Sequence, residues 1–296
     1  MMQKRIFNMQ NVLITGSKGQ LGLKFKDLEN NFPDIKIIFC DIDDLDITKY
    51  EDLGIFFQNV HIDIIINCAA YTAVDLAESD ESKAYSVNAD GPRNLAVLSK
   101  LYNAKLVHIS TDYVYDGTKN TPYSESDGTN PLSVYGKSKL KGETEVLKEN
   151  ENAVIIRTSW LYSEYGNNFA KTIIKLGKEK DILKVVYDQT GTPTYAGDLA
   201  LAVFEIINKY IKDNIWFPGI YNYSNLGVCS WYDFAVELLR LSGNNKYVIP
   251  VLSSEFPSVA KRPNYSVLDK SKIINTFNIK IPYWRDACEN MMDNVK

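Results

Sequence analysis

Residues 12–22 read VLITGSKGQLG, a short β-branched run followed at once by three glycines in the spacing GxxGxxG. The run is long enough for a buried strand, and a helix is predicted to begin near Leu21, directly after the loop. Glycines at Gly16, Gly19 and Gly22 let the backbone turn tightly and approach a pyrophosphate, towards which the helix N-terminus directs unpaired N–H groups. The stretch therefore predicts a strand, a turn and a helix that bind a dinucleotide. The alternative is a glycine-rich turn at a sheet edge.

Further apolar runs of strand length alternate with longer amphipathic segments in the first half of the chain. Those that follow the glycine loop are IKIIFC (35–40), DIIINC (63–68), KLVHIS (105–110) and AVIIRT (153–158). Continuous apolar runs suit a parallel sheet that is buried on both faces. The segments 78–103 and 132–150 are long enough for crossover helices. We therefore predict an α/β fold with a Rossmann-type doubly wound parallel sheet.

The regular alternation loosens after about Trp160. The elements predicted beyond it are helices over 168–180 and 197–212, a strand over 183–187 and a helix from about Ser230. We expect residues 1–165 to form an NAD(P)-binding Rossmann domain. Residues 166–296 are expected to form a smaller C-terminal lobe that mainly binds substrate, with residues 197–223 returning to the Rossmann sheet.

The composition excludes several classes of protein. The apolar fraction of 45% and the charged fraction of 24% are those of a folded globular chain, which argues against disorder. The 33 Lys and Arg residues are outnumbered by 37 Asp and Glu, so the net charge of −4 offers no basic footprint for nucleic acid or an anionic membrane. No apolar stretch is long enough to span a membrane. Any anionic ligand must therefore be held by locally placed groups.

Cysteine and histidine usage predicts neither a metal site nor a disulfide framework. The residues concerned are Cys40, Cys68, Cys229 and Cys288, together with His61 and His108. The cysteines lie far apart without a CxxC pair, and the histidines are not spaced as metal ligands. The N-terminal segment MMQKRIFNMQ is charged and lacks the apolar region of a signal peptide. We therefore expect reduced thiols and a cytoplasmic location.

A carboxylate follows the second predicted strand. Asp41 lies roughly twenty residues beyond the glycine loop, where an acidic side chain can accept hydrogen bonds from the adenosine ribose. No Arg or Lys follows it until Lys49, so a 2′-phosphate would meet Asp41 without a countercharge, and NADH is favoured over NADPH. The alternative is that Asp41 and Asp43 are solvated loop carboxylates.

A second set of residues points to hydride-transfer chemistry. The fourth predicted strand ends at Thr111, and Tyr135 and Lys139 are four residues apart on a predicted helix, so they share a face. A lysine ammonium beside a phenol favours the phenolate, which lets the tyrosine exchange a proton near neutral pH. Thr111, at the carboxyl end of a parallel strand, can hydrogen-bond the same substrate oxygen. Together these groups are predicted to polarise a carbonyl for hydride attack.

These residues resemble those of the extended short-chain dehydrogenase/reductases and, within them, the dTDP-4-dehydrorhamnose reductases. The resemblance runs from about Asn11 to about Asp286. Its motifs are NCAAYTAVD (67–75), STDYVYDG (110–117), NPLSVYGKSKLKGE (130–143), RTSWLYSEYGNNFAKT (157–172), DQTGTPT (188–194) and KRPNYSVLD (261–269). One departure is Leu76, where the family usually has lysine in AVDKAE.

By position, the resemblance implies three groups of site residues. The cofactor-binding group comprises Gly16, Ser17, Gly19, Gln20, Leu21, Gly22, Asp41, Asp46, Ile47, Ala69, Ala70, Tyr71, Thr72, Tyr135 and Lys139. The catalytic group comprises Thr111, Tyr135 and Lys139. The substrate-binding group comprises Thr111, Asp112, Trp160, Asn168 and Arg262, the last two at the nucleotide diphosphate. A guanidinium suits a diphosphate because it pairs with phosphate oxygens in a bidentate manner.

The resemblance implies reduction of the C4 keto group of dTDP-4-dehydro-β-L-rhamnose to dTDP-L-rhamnose, with Tyr135 as proton donor. The cofactor would be NAD(H) or NADP(H). The expected partner is the sugar-nucleotide substrate dTDP-4-dehydrorhamnose, and we expect a homodimer with no metal ion.

Three alternatives to this activity remain. They are a related sugar-nucleotide epimerase, a ketoreductase with a different substrate, and a non-catalytic regulatory subunit of the same fold. A 4,6-dehydratase would carry an acid/base pair such as Asp-Glu after Thr111, where this chain has Asp112-Tyr113. The complete set of Thr111, Tyr135 and Lys139 argues against the non-catalytic alternative.

Overall fold

Six parallel strands form the central sheet of this protein, in the order Gly219–Tyr223, Val154–Thr158, Lys105–Thr111, Ile64–Asn67, Gln10–Thr15 and Ile35–Cys40. The structure, a computed structural model, describes residues 9–244, 246–256 and 258–294. The N-terminal segment MMQKRIFNMQ, in which no signal peptide is expected, lies outside these ranges except for its last two residues. The strands of the sheet are β1 (Gln10–Thr15), β2 (Ile35–Cys40), β3 (Ile64–Asn67), β4 (Lys105–Thr111), β5 (Val154–Thr158) and β10 (Gly219–Tyr223). The predicted doubly wound parallel sheet is confirmed.

Helices and short strands complete the described part of the chain. The helices are α1 (Gln20–Leu28), α2 (Tyr50–Asn59), α3 (Val74–Ala77), α4 (Glu81–Tyr85), α5 (Gly91–Leu101), α6 (Val134–Glu149), α7 (Phe169–Glu179), α8 (Ala196–Asp213), α9 (Trp231–Leu241), α10 (Ser271–Phe277) and α11 (Trp284–Asn294). The remaining strands are β6 (Leu161–Tyr162), β7 (Ile182–Val186), β8 (Thr190–Gly191), β9 (Thr194–Tyr195), β11 (Cys229–Ser230) and β12 (Tyr247–Val251). None of the described helices is both long and apolar enough to cross a membrane.

Both faces of the central sheet are covered, because successive side chains of a strand point to opposite sides. Val12 and Ile14 of β1 enter one apolar cluster, which α1 and α8 cover with Phe25 and Phe204. Leu13, between them, enters the cluster on the other face. This two-sided burial explains why the strands lack polar alternation.

A second lobe has its own apolar core, built largely by α7, α9 and α11. Ile173, Phe234 and Trp284 are buried there, and the parallel pair β7 and β12 adds Leu183 and Val248. Helix α8 and strand β10 lie between α7 and α9 in the sequence, but they belong to the first core and the central sheet. Strand β10 is the edge strand beside β5, and α8 packs against α1. The division of the chain into domains at residue 165 remains a prediction.

Candidate functional site

A cleft of about 890 Å³ opens at the carboxyl ends of the parallel strands, where open α/β sheets place ligands. Side chains from both the sheet half and the second lobe line it. Most of the site residues predicted from the sequence meet there, namely Gly16, Gly19, Gln20, Leu21, Gly22, Asp41, Asp46, Ile47, Ala69, Ala70, Tyr71, Thr72, Thr111, Asp112, Tyr135, Lys139, Trp160 and Asn168. Ser17 and Arg262 are not among the residues that line it.

The glycine loop is packed so closely that side chains would not fit. Gly16 has a φ of +66°, and a Cβ on it would lie 2.6 Å from the backbone nitrogen of Ala69. A Cβ on Gly22 would lie 2.5 Å from Cα of Ser17. Gly19 is the N-cap of α1, and the first residues of this helix line the cleft, where the first N–H groups of a helix have no partner within the helix. This cradle fits the pyrophosphate of a dinucleotide.

The far end of the cleft holds Asp41, whose carboxylate accepts hydrogen bonds from the backbone N–H groups of Lys18 and Ile42 at 2.7 and 2.9 Å. The side chain of Lys18 pairs with Asp43 at 2.7 Å. The premise that no cation lies near Asp41 is therefore wrong. Lys18 precedes Asp41 in the sequence, and the turn of the glycine loop brings it there.

The predicted catalytic side chains converge where β4 ends. Ser133 caps α6 by accepting a hydrogen bond from the N–H of Gly136 at 3.1 Å, which places Tyr135 in the first turn of the helix. A Cβ on Gly136 would overlap the carbonyl oxygen of Tyr113, so glycine lets α6 approach the segment after β4. Tyr135 then lies within hydrogen-bonding reach of Thr111.

The protonation of this pair differs from the prediction. Burial raises the pKa of Tyr135 to about 12, the hydrogen bond with Thr111 lowers it, and the Asp112 carboxyl raises it. Burial lowers the pKa of Lys139 to about 8, and its Nζ donates to the carbonyl oxygen of Ile109 at 2.7 Å. The pKa of Tyr135 is thus raised, and not lowered as the sequence predicted, because the phenol is buried. Tyr135 is a phenol near neutral pH, the form that can donate a proton.

Asp112 is a buried carboxyl beside the catalytic hydroxyl. Burial raises its pKa to about 7, against the hydrogen bonds of Ser266 and Thr111, which lower it. The hydroxyl of Thr111 donates to Oδ1 of Asp112 at 3.0 Å. The polar groups at this end of the cleft can thus both donate and accept hydrogen bonds.

Aromatic residues form the wall that the second lobe contributes. Trp160 has a φ of +47°, which is unusual for a large side chain, and its ring stacks on Trp231 with centroids 3.6 Å apart. A Cβ on Gly191 would lie 2.6 Å from the Trp160 ring. Trp231 and Phe169 also line the cleft but were not predicted as site residues. The only sequence signal for Trp231 was the Trp-Tyr pair at the start of α9.

Asn168 links the glycine-loop helix to the second lobe. It caps α7 through Lys171, and its Nδ2 donates to Oε1 of Gln20 and to the carbonyl oxygen of Ser163, both at 2.8 Å. Its amide donors are therefore engaged within the protein while its side chain lines the cleft.

Arg262 lies outside the cleft lining and pairs with Asp75 of α3 at 2.8 Å. Asp75 also accepts a hydrogen bond from the N–H of Ala260 at 3.0 Å. Arg262 lies close enough to Tyr113, which lines the cleft, to lower the pKa of that phenol against the effect of burial. Leu76, the departure from the family motif, is exposed.

No group of three or more His, Cys, Asp or Glu side chains that could hold a metal ion occurs in residues 9–244, 246–256 and 258–294. All four cysteines are free thiols. Burial lowers the pKa of His108, so this histidine inside β4 is neutral.

Comparisons with known proteins identify the family of this chain. A family model described as the RmlD substrate binding domain matches residues 9–296. The chain is 40% identical over 289 residues to a protein of Aggregatibacter actinomycetemcomitans named dTDP-4-dehydrorhamnose reductase, a match that covers 96% of this chain and 98% of the relative.

Solved structures give the same result. A dTDP-4-dehydrorhamnose reductase from Clostridium acetobutylicum superposes with a TM-score of 0.90 at 43% identity, covering 97% of this chain and 99% of the other. A dTDP-4-dehydrorhamnose reductase from Bacillus anthracis in complex with NADP superposes with a TM-score of 0.90 at 41% identity, covering 96% and 99%. This chain therefore belongs to the family that the RmlD substrate binding domain model defines, that of the dTDP-4-dehydrorhamnose reductases.

Proposed function

We propose that this protein is an NAD(P)H-dependent oxidoreductase that reduces the C4 keto group of dTDP-4-dehydro-β-L-rhamnose to dTDP-L-rhamnose. The observation that carries the proposal is the meeting of a hydroxyl, a phenol and a buried ammonium, Thr111, Tyr135 and Lys139, in one cleft with a glycine cradle. The family membership supports the sugar nucleotide as substrate.

The chain's own groups supply the proton and hold the carbonyl. Tyr135 donates its phenolic proton to the C4 oxygen, and Thr111 hydrogen-bonds the same oxygen by turning its hydroxyl proton from Asp112 to it. Lys139 supplies a buried positive charge near the phenol, which stabilises negative charge that develops on the oxygen. The reduced nicotinamide, when bound, supplies the hydride, so hydride and proton together convert the ketone into an alcohol.

We propose that the cofactor-binding residues act as the sequence predicted. Gly16, Gly19 and Gly22 admit the pyrophosphate, and Asp41 accepts hydrogen bonds from the adenosine ribose. Lys18 joins this group because its ammonium lies near the carboxylates of Asp41, Asp43 and Asp44. A cation at this place can meet a 2′-phosphate, which fits the use of NADP(H) as well as NAD(H).

On the substrate side, we propose that Asp112 and Trp160 contact the sugar, and that Trp231 holds the Trp160 ring in place by stacking. Asn168 acts by holding Gln20 and the start of α7 at the diphosphate end. Arg262 reaches the diphosphate only by leaving or sharing Asp75.

The test of the function is the consumption of NADPH and of NADH by the purified protein with dTDP-4-dehydrorhamnose, followed by reduced-nicotinamide absorbance and by identification of the product. We expect both cofactors to be consumed. Consumption of neither would favour the regulatory subunit, and C4 inversion without net cofactor consumption would favour an epimerase.

Tyr135→Phe is the matched catalytic variant, because it keeps the ring and removes the proton donor. We expect kcat to fall roughly 10²–10⁴-fold, the usual contribution of general acid catalysis, with cofactor affinity nearly unchanged. Cofactor affinity is measured separately by fluorescence titration. More than half of the wild-type turnover in Tyr135→Phe would exclude Tyr135 as the proton donor.

The homodimer, the cytoplasmic location and the domain boundary at residue 165 remain predictions. Light scattering on the purified protein measures the first, fractionation of the source cells the second, and limited proteolysis the third.

A further inference from the structure

Beneath the catalytic pair lies a cluster of buried charges, part of which the proposed reaction does not touch. Lys139 and Glu143 are each 2% exposed, and Arg157 of β5 is 3% exposed. Lys139 and Glu143 are one helical turn apart on α6, so they share a face of the helix. Burial of charges costs free energy unless each charge has a partner.

Glu143 is the hub of this cluster. Its Oε2 accepts a hydrogen bond from Nη2 of Arg157 at 2.6 Å, and its Oε1 accepts from Nε of Arg157 at 2.9 Å. The same Oε1 accepts from the hydroxyl of Ser110 at 2.5 Å. Ser110 and Lys139 line the cleft, whereas Glu143 lies one layer below its floor.

The guanidinium of Arg157 has hydrogen-bond partners of its own besides Glu143. Its Nη1 donates to the hydroxyl of Tyr115 at 2.7 Å, and its guanidinium lies 5.1 Å from the centre of that ring. Glu143 therefore carries one negative charge among two buried positive charges, and Lys139 is the one of the two without a carboxylate in direct contact.

Other titratable groups near Lys139 do not replace Glu143. Cys68, in the segment after β3, and His108 of β4 are both neutral, because burial raises the pKa of the thiol and lowers that of the imidazole. Two charged groups that lie against α6 face other residues of that helix, whereas Lys83 of α4 lines the cleft. Glu78 accepts a hydrogen bond from the N–H of Val134, and Arg93 acts on Glu145. Asp112 and Tyr135 face the catalytic hydroxyl.

We propose that Glu143 is a positioning residue for this reaction, whose buried carboxylate keeps Lys139 in its ammonium form and anchors that turn of α6 to β4 through Ser110. The pH above which activity is lost then depends on Glu143, which lies below the floor of the cleft. Burial lowers the pKa of Lys139, and Glu143 raises it. The consequence for activity rests on the proposed function, whereas the charge state of Lys139 does not.

The direct test is the titration midpoint of Lys139, followed by NMR of the ε-carbon in protein labelled with ¹³C-lysine and assigned with Lys139→Met. We expect Glu143→Gln to lower the midpoint by about one pH unit or more, the size of shift that loss of a nearby opposite charge produces. Arg157→Met is the matched control, because it breaks the same ion pair and leaves the carboxylate. In Arg157→Met the titration midpoint of Lys139 is expected to remain unchanged or to rise.

An unchanged midpoint in Glu143→Gln, or an equal fall in Arg157→Met, would overturn the proposal. If Glu143→Gln does not fold, Glu143→Gln combined with Arg157→Met removes both members of the Glu143–Arg157 ion pair, a change that buried pairs tolerate better than the loss of one member. The midpoint of the double variant is expected to lie below that of Arg157→Met alone, and equal midpoints in these two proteins would again overturn the proposal.

The second readout is the pH profile of kcat/KM. Its alkaline limb is expected to move to lower pH in Glu143→Gln by the same amount as the NMR midpoint, and to return in Glu143→Asp. An alkaline limb that does not move with the NMR midpoint of Lys139 would show that the charge state of Lys139 does not control activity. Failure of wild-type protein to reduce the sugar nucleotide would refute the proposed function alone, because the NMR titration needs no substrate.

Discussion

Lys18 lies at the end of the cleft that holds Asp41, exposed and paired with Asp43. We expect Lys18→Ala to lower kcat/KM for NADPH by roughly two- to fivefold, as an exposed charge contact is weak, and to leave that for NADH nearly unchanged. Steady-state kinetics with both cofactors measure the ratio. Asp43→Asn keeps the lysine and frees it, so it should not weaken NADPH use. A wild-type cofactor ratio in Lys18→Ala would show that Lys18 does not contact the 2′-phosphate.

Asp112 makes the stability of the protein depend on pH. Because folding raises its pKa to about 7, its contribution to the free energy of unfolding is fully present below the ordinary carboxyl pKa and is lost as the pH rises through about 7. We expect the stability of wild type relative to Asp112→Asn to fall by up to about 4 kcal/mol over that range, at about 1.4 kcal/mol per pKa unit. Urea unfolding of both proteins at several pH values measures the difference, and a difference that does not change with pH would contradict the assignment.

At the scale of elements, a π-helical segment (Ser86–Asp90) fixes the approach of α6. The side chain of Asn88 joins the backbone of Tyr71 to the hydroxyl of Ser138, with hydrogen bonds of 2.8 to 3.1 Å. A Cβ on Gly142 of α6 would overlap the carbonyl oxygen of Asn88. The segment therefore connects Tyr71, which lines the cleft, with the helix that carries Tyr135.

We expect Gly142→Ala to cost about 1–3 kcal/mol of stability and to lower kcat, because overpacking moves α6 and with it Tyr135. Gly54→Ala is the matched control, since Gly54 lies inside α2 with open space where a Cβ would stand. That change should stabilise the protein by about 0.5–1 kcal/mol and leave kcat unchanged. Thermal unfolding and steady-state kinetics measure both, and equal effects of the two changes would refute the close contact.

At the scale of the whole molecule, Asp75 joins α3 to the C-terminal segment that contains Arg262. We expect Arg262→Ala to raise KM for the sugar nucleotide roughly tenfold, with KM for the cofactor unchanged, because it removes a charge-assisted contact to the diphosphate. Asp75→Asn keeps the guanidinium and frees it from its ion pair, so it should not raise that KM. Both changes should cost at most about 1 kcal/mol of stability, since the pair is partly exposed. If Arg262→Ala has the wild-type KM for the sugar nucleotide, the pair of Arg262 and Asp75 is a structural contact only.

The sequence by itself determined the features that depend on local geometry. Residues 12–22 form strand, turn and helix as predicted, because three glycines and an apolar run act within one short segment. Tyr135 and Lys139 share a face because the helical period alone relates them. The five strands predicted in the first half end within two residues of their predicted positions, since continuous apolar runs are typical of buried parallel strands.

Tertiary structure alone decided the contacts between segments distant in sequence. Lys18 lies beside Asp43, Asn168 binds Gln20, and Arg262 pairs with Asp75. The protonation of Tyr135 was also decided there, because burial is a property of the packed cleft. No pattern in the sequence specifies these, since the position and the solvation of a long polar side chain depend on which distant elements pack around it.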